Sequence, residues 1–554
     1  MNIEMLLGQM TLQEKVGQLF LLAFEKDRLD EARVLFEQYF VGASYLSNDN
    51  LPDPVAAAEM TATLQGYAAK TRLQIPLLLG CDQEGAWGVI AQGSIPGPGN
   101  MALGATGDPE QAYRMYRVIG EELRAAGLNT LLAPCADCNS NPHNAIIGMR
   151  SFGEKPVQVG AMTAAAVRGA HDGGIFATVK HFPGHGDTTE DSHRGIPSVR
   201  RSREELFAID LKPFAEGIRA GADIVMTAHI LFPALDADNP ATLSRAIMTD
   251  LLRGELGFDG VILTDSMNMK AITRFYAPAD AAVRALNAGV DMIMLAEEHY
   301  GHDSAQYLHS QTALIEAVVR AVERGDLPEE RLNDAVRRNL ALKAKLGSLG
   351  AAPEVSSIGS AEHQAVALEA SERAVAVLRS VPGTLPLEAE TPVIVVNTTV
   401  RAAYEILTAT RGIGPSQAVP AFDWFAQAMR ACAADVTFVT ARSVLYGEFD
   451  GSEALESGAR VIAVTENYPL PGIDFDKSSQ GSVIAKLLEV LGDRLIVVAL
   501  RDPYELAHLP GVATYVCAFS FRPQAAMAAA SVLYGTVEPR GASPVSVPEA
   551  GLHA

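Results

Sequence analysis

The order of apolar segments predicts an α/β protein, a (β/α)8 TIM-like barrel followed by a smaller α/β sandwich (αβα) domain. Three observations carry that expectation. Eight continuous apolar runs, each followed by a helical pattern, occupy the chain up to Leu295. The titratable residues of this region gather at the C-terminal ends of the runs. After a turn-rich stretch, a second set of apolar runs begins. Continuous apolar strands separated by helices indicate parallel strands buried on both faces. Eight such units is the number that closes a barrel; an open doubly wound sheet is the alternative.

Taken in order, Thr11-Leu-Gln-Glu14 has the form of a capping box and is expected to open the first helix. The eight strand-like runs are Gly17–Phe24, Val41–Leu46, Pro76–Cys81, Thr130–Pro134, Ile175–His181, Asp223–His229, Gly260–Asp265 and Asp291–Leu295. Amphipathic helices are expected between them, for example over Pro109–Ala126 and Arg203–Ala220. Asp82, Asp137, Lys180, His181, His229 and Asp265 stand at the ends of the runs. In a barrel those ends converge on one face, where active sites lie. Residues 1–345 are assigned to the barrel, 346–390 to a helical and linker segment, and 391–554 to the second domain. Glu330–Arg379 reads as helical with a break at Gly347–Pro353, and Val381–Pro386 as a turn-rich linker. The second domain's strands are expected at Val393–Val396, Val436–Thr440, Val461–Val464, Leu495–Leu500 and Ala513–Ala518. Asp474–Gln480 is its most polar loop.

Composition narrows the function classes. A chain of 554 residues with 48% hydrophobic and 20% charged residues can bury a large core and is not disordered. A net charge of −22 argues against nucleic acid, which demands a basic footprint. No apolar run reaches the ~20 residues of a membrane span. The first ten residues have neither a basic region nor a clean apolar core, so no signal peptide is expected. Five cysteines, with Cys81 and Cys517 inside strand-like runs, suit a reducing, cytoplasmic compartment. Cys135-Ala-Asp-Cys138 is formally a CxxC, but no second pair completes a metal site.

The chemistry is expected around Lys180–Pro197, which follows the fifth run and holds His181, His185, His193, Asp187, Glu190 and Asp191. A hydrophobic core has no use for this composition, and a solvated loop does not need so many histidines. Asp265 ends the seventh run; it is read as a carboxylate nucleophile or electrostatic stabiliser, or more plainly as a helix cap. Asp191 and His193 are two apart, so in an extended loop they can point the same way. The acid then accepts from the imidazole, fixes its tautomer and makes a general acid/base dyad; the plain reading is a turn. Lys180 and His181 suit sugar hydroxyls or phosphate oxygens, or else a salt-bridge network. Asp82, in Cys81-Asp-Gln-Glu-Gly85, can take two neighbouring hydroxyls or cap a helix. Arg150 lies in the loop after the fourth run, and His229 ends the sixth as a residue that lines the site.

Lys180-His-Phe-Pro-Gly-His-Gly-Asp-Thr through Asp191-Ser-His193 resembles the signature of the β-N-acetylglucosaminidase branch of glycoside hydrolase family 3. Pro98–Thr106, Arg150–Gly153, Gly257–Lys270, Ala288–Asp291, Leu500–Tyr504 and Pro544–Pro548 resemble the same family, so the likeness spans essentially the whole chain. The resemblance implies a retaining mechanism. Asp265 would be the nucleophile and His193 the acid/base oriented by Asp191, in place of a second carboxylate. Asp82, Arg150, Lys180 and His181 would hold the N-acetylglucosamine hydroxyls. The loop carrying the dyad is expected to be mobile, with Gly184 and Gly186 consistent with that. One departure stands out: Gly85-Ala-Trp-Gly-Val-Ile90 lacks the family's two arginines, and Ile90 stands where one would touch the sugar. Trp87 is either a replacement stacking face or a core aromatic.

These readings converge on a retaining β-N-acetylhexosaminidase acting on small glycosides such as muropeptides or chitin fragments. No cofactor, metal, nucleic-acid or membrane partner is expected. The alternatives are a phosphorylase, in which phosphate intercepts the same glycosyl-enzyme, a metal hydrolase using His181, His185, Asp187 and His193, and a sugar-binding protein without turnover. The second domain is expected to be mainly structural.

Overall fold

The structure, a computed structural model, describes residues 2–85, 88, 93–144, 146–189, 196–296, 304–399, 419–466 and 477–554. Eight parallel strands form the first sheet: β1 Phe20–Leu22, β2 Ala43–Tyr45, β3 Leu78–Cys81, β4 Thr130–Leu131, β5 Phe176–Phe182, β6 Ile224–Thr227, β7 Val261–Leu263 and β8 Ile293–Leu295. Their order is β7-β6-β5-β4-β3-β2-β1-β8. A parallel bridge between Leu263 and Met292 joins the two ends, so the predicted barrel closes.

Side chains alternate along each strand, and the two cores record the alternation. Leu21, Ala43, Tyr45, Leu78, Phe176, Ile224, Met226, Val261, Leu263, Met292 and Met294 fill the barrel interior. Phe20, Leu22, Leu79, Cys81, Ala177, Val179, Ile262 and Ile293 face outward, where helices such as Pro109–Ala125 and Pro156–Asp172 cover them. Counting in twos from Leu78, Phe176 and Val261 brings Asp82, Lys180 and Asp265 onto the inward face at the C-terminal rim.

Local sequence explains most boundaries. The Thr11–Glu14 capping box is present, but a helix Ile3–Gln9 precedes it, so it opens the second helix and not the first. The stretch expected as one helix over Arg203–Ala220 is two, Arg203–Ala208 and Leu211–Arg219. Pro213 is the cause: it has no N–H for the Ile209 carbonyl four residues back and its ring crowds that carbonyl. At the break, Asp210 accepts two hydrogen bonds from Arg201 at 2.7 and 2.6 Å.

The second sheet has the order β11-β10-β12-β13-β14-β9. Its strands are β9 Ala376–Arg379, β10 Val393–Asn397, β11 Val436–Thr440, β12 Arg460–Thr465, β13 Leu495–Ala499 and β14 Thr514–Cys517. Five are parallel, as the apolar runs predict. The sixth corrects the sequence reading: Ala376–Arg379 was expected to be helical but is an antiparallel edge strand on β14. The helix Ala361–Ala374 stops just before it. Of the polar loop expected over Asp474–Gln480, Lys477–Gln480 instead open the helix Lys477–Leu491, and residues 474–476 lie outside the described residues. Among the described residues no helix is long and apolar enough to cross a membrane.

The helix Glu329–Ala344 closes the bottom of the barrel, with Leu342 inside the barrel core. Its Lys343 is 2% exposed and donates to Gln18 Oε1 at 2.5 Å. Burial pushes the Lys343 ammonium down to about 7. The unfolded chain therefore holds this proton more tightly than the folded one. The penalty is fully present below about pH 7 and is relieved as pH rises towards the ordinary lysine range near 10. We predict that Lys343→Met, measured against wild type by calorimetry, compares more favourably at about pH 6 than at about pH 9, by about 2–4 °C in melting temperature. An unchanged difference between the two pH values would show that Lys343 is not the titrating group.

Candidate active site

Two of the inward-facing rim residues, Asp82 and Lys180, meet a charge of opposite sign from another strand. Asp82 accepts from Lys180 Nζ at 2.5 Å and from Tyr45 Oη at 3.0 Å. Lys180 also pairs with Glu84 at 2.5 Å. Glu84 takes both arms of Arg150, whose Nε and Nη2 each donate at 2.8 Å. Two carboxylates and two cations thus share one buried network, with Glu84 1% exposed. Burial by itself would push the Glu84 carboxyl up. The Arg150 and Lys180 charges and their hydrogen bonds outweigh it and bring the group down to about 2. The same exchange runs the other way for Lys180: burial lowers it, and Asp82 and Glu84 raise it above the usual lysine value.

His181 joins this network at its edge. Its Nε2 lies 3.3 Å from Arg150 Nη2, and its Nδ1 lies 2.8 Å from Asp137 Oδ2. Arginine only donates, so Nε2 accepts, and Nδ1 carries the proton given to Asp137. Burial, then the Arg150 and Lys180 charges, hold His181 well below the ordinary imidazole value, so it stays neutral. Asp137 also accepts the backbone N–H of His185 at 2.6 Å and the Cys135 thiol at 3.1 Å. Burial pushes Asp137 up to about 7 against those donors.

Asp265 stands across the rim, two residues beyond β7, and accepts the Ser266 N–H at 2.7 Å. His229 is its neighbour. His229 Nε2 faces the Ser266 carbonyl at 3.0 Å and therefore donates to it, and Nδ1 meets Thr242 Oγ1 at 2.8 Å. Burial lowers His229 and the nearby Asp265 charge partly restores it. With both nitrogens engaged, His229 holds the backbone after Asp265.

The structure therefore brings Asp82, Arg150, Lys180 and His181 together, with Asp265 and His229 opposite. Asp191 and His193, the dyad expected from the sequence, lie outside the described residues, as do Trp87 and Ile90. The base of their loop is described. Asn144 donates to the His185 carbonyl at 2.8 Å, and Arg201 pairs with Asp187 at 3.1 Å. Gly186 is required here by contact: a Cβ on it would lie 1.6 Å from the Cys138 carbonyl oxygen. At Gly184, φ is 140° and a Cβ would meet the Asp210 side chain at 2.7 Å. Both glycines thus have a packing reason beyond the hinge role read from the sequence.

Sequence reasoning gave no role to Glu84 and quoted Asp137 only as a strand-end acid. The available signal was the spacing Asp82-x-Glu84, which puts two carboxylates on one face of an extended segment. Cys135, Asp137 and His181 offer three donor atoms within 4.8 Å of one another. The proton on His181 Nδ1 and the Cys135 thiol already bind Asp137, so this cluster reads as a hydrogen-bonded support for His181. Cys138 points elsewhere, to the Ile209 carbonyl.

Comparison with known proteins gives the following. Residues 11–342 match the family profile described as "Glycosyl hydrolase family 3 N terminal domain". The chain is 35% identical over 379 residues to "Beta-hexosaminidase A" of Pseudoalteromonas piscicida, covering 64% of this chain and 62% of that protein. It thus spans about three fifths of that relative's length. It is 29% identical to "Beta-N-acetylglucosaminidase/beta-glucosidase" of Cellulomonas fimi, over 97% of this chain and 94% of that one. Among solved structures, a glycoside hydrolase family 3 β-N-acetylglucosaminidase from Paenibacillus superposes with a TM-score of 0.86 and 36% identity, covering 97% of this chain and 99% of the other.

The charge network yields a direct expectation. Glu84→Gln leaves Lys180 and Arg150 buried with Asp82 as the remaining acid among these four. We predict a loss of about 3–5 kcal/mol in stability, read from urea unfolding. A loss below about 1 kcal/mol would mean the cations are compensated elsewhere.

Proposed function

The chain belongs to glycosyl hydrolase family 3, and from that premise we propose that it is a retaining β-N-acetylhexosaminidase releasing terminal β-linked N-acetylglucosamine from small glycosides. The observation that carries this reading is the convergence of Asp82, Arg150, Lys180 and His181 on one network facing the Asp265 carboxylate. Hydroxyl groups of a sugar ring are recognised by such a mixture of fixed donors and acceptors, with no net charge demanded of the ligand. The relatives named for hexosaminidase activity support N-acetylglucosamine as the sugar.

In this reading, a carboxylate oxygen of Asp265 attacks the anomeric carbon. The bond to the leaving oxygen breaks as that oxygen takes the proton of His193. The sugar is then held as an ester of Asp265. In the second half, His193 takes a proton from water, the water oxygen attacks the same carbon, and Asp265 is released. Asp191 accepts the other imidazole N–H and so orients the ring. Lys180 and Asp82 hold adjacent hydroxyls, Arg150 and His181 line the same wall, and His229 fixes the backbone that presents Asp265. Muropeptides or chitin fragments fit this chemistry as substrates. The burial of Cys81 and Cys517 in strands supports a reducing, cytoplasmic setting.

The test is turnover of 4-nitrophenyl N-acetyl-β-glucosaminide, with and without inorganic phosphate to separate hydrolysis from transfer to phosphate. Asp265→Asn is expected to lose nearly all turnover. His193→Ala is expected to lose about 10²–10⁴-fold on a disaccharide but far less on the nitrophenyl glycoside, whose leaving group needs little protonation. A wild-type protein inert on this glycoside, or equal losses of His193→Ala on both substrates, would overturn the assignment.

A further inference from the structure

The backbone that follows Asp82 is held from the second domain. Gln83 and Gly88 form an antiparallel bridge immediately beyond β3. Its glycines are compressed on both sides. At Gly85, where φ is 81°, a Cβ would lie 2.5 Å from Gly99; at Gly88 it would lie 3.2 Å from Arg522 Nη2. Arg522 belongs to the second domain, at the start of the helix Pro523–Leu533. Its Nε donates to the Gly85 carbonyl at 2.7 Å, across 437 positions of sequence, and its guanidinium lies over the Phe521 ring at 5.1 Å. The residue is only 5% exposed.

A guanidinium in so dry a setting binds a carbonyl more firmly than a neutral donor does. The backbone it holds comes directly after Glu84, which takes Arg150 in a two-armed grip and Lys180 at 2.5 Å. We propose that Arg522 is a positioning residue of the sugar site: it fixes the backbone at Gly85, and through the adjoining Glu84 it sets where Lys180 and Arg150 stand. The second domain then helps to complete the barrel's active site through this one residue. Its own packing fixes the arginine, because the helix Pro523–Leu533 is seated between Ala421–Cys432 and Ala361–Ala374.

This inference rests on the sugar site proposed above, and the test keeps the two apart. Michaelis constants for the nitrophenyl N-acetylglucosaminide, inhibition constants for free N-acetylglucosamine and melting temperatures are measured for full-length wild type, Arg522→Ala and Arg522→Lys. Ser546→Ala is the control. It breaks a different contact between the domains, the Ser546 hydroxyl to Glu154 at 2.6 Å, which does not involve Gly85. Arg522→Ala is expected to raise both constants at least tenfold with a smaller change in kcat. Arg522→Lys should recover part of the loss, because an ammonium still reaches a carbonyl. Ser546→Ala should stay within twofold of wild type. Constants for Arg522→Ala within twofold of wild type, or an equal rise in Ser546→Ala, would overturn the inference. If Arg522→Ala does not fold, Arg522→Lys is read alone, and wild-type constants in it would overturn the inference. An inert wild type would instead count against the sugar site.

Discussion

The pairing of Glu84 with Lys180 and Arg150 is the interaction on which the rest of the site depends. An isolated charge in a barrel mouth would cost several kcal/mol; Glu84 and Lys180 are buried and the Arg150 side chain is only 11% exposed. They remain charged because each supplies the other's compensation, and Asp82 and Tyr45 complete the arrangement. The geometry of the pairing also fixes loops that have no regular structure. Arg150 stands in the loop after β4, Lys180 ends β5 and Glu84 follows β3, so one cluster ties three strand ends together. The neutral His181 extends this order. Because Arg150 only donates, the imidazole tautomer is set, and Asp137 is drawn in on the other side.

Much of this was legible in the sequence, for identifiable reasons. The eight barrel strands announce themselves because parallel strands buried on two faces must be continuously apolar. Asp82, Lys180 and Asp265 are readable because a titratable residue ending such a run has nowhere to go but the rim. What stayed hidden depends on pairing between distant residues. Glu84 acquires its role from Arg150 and Lys180, 66 and 96 positions away. Ala376–Arg379 has the composition of the helix before it and becomes a strand only because Tyr515–Cys517 offers an edge. Arg522 lies in a segment with no local sign of a role in the barrel. Gly184 and Gly186 were visible as glycines, but their cause, the Asp210 side chain and the Cys138 carbonyl pressed against them, was not.

The two domains are joined by more than a linker. Met101, Ala102, Ala105 and Met149 of the barrel are buried within the apolar core of the second domain. Asn139 donates to the Tyr504 hydroxyl at 2.5 Å, and Glu154 accepts the Ser546 backbone N–H at 2.8 Å. These contacts involve the loop after β4, which also carries Arg150. The second domain can therefore still act on the site, by deciding how rigidly the backbone at Gly85 is held.

The alternation of side chains along the strands has a consequence for how the chain can change length. Leu78 and Asp82, Phe176 and Lys180, and Val261 and Asp265 are each separated by the same even interval, and each pair shares the interior face. Inserting or deleting one residue within any of these intervals would turn the charged side chain out towards the helices and bring an outward-facing neighbour into the mouth. The chain can grow or shrink freely in the connections between these strands. Within those intervals it can do so only by two residues at a time.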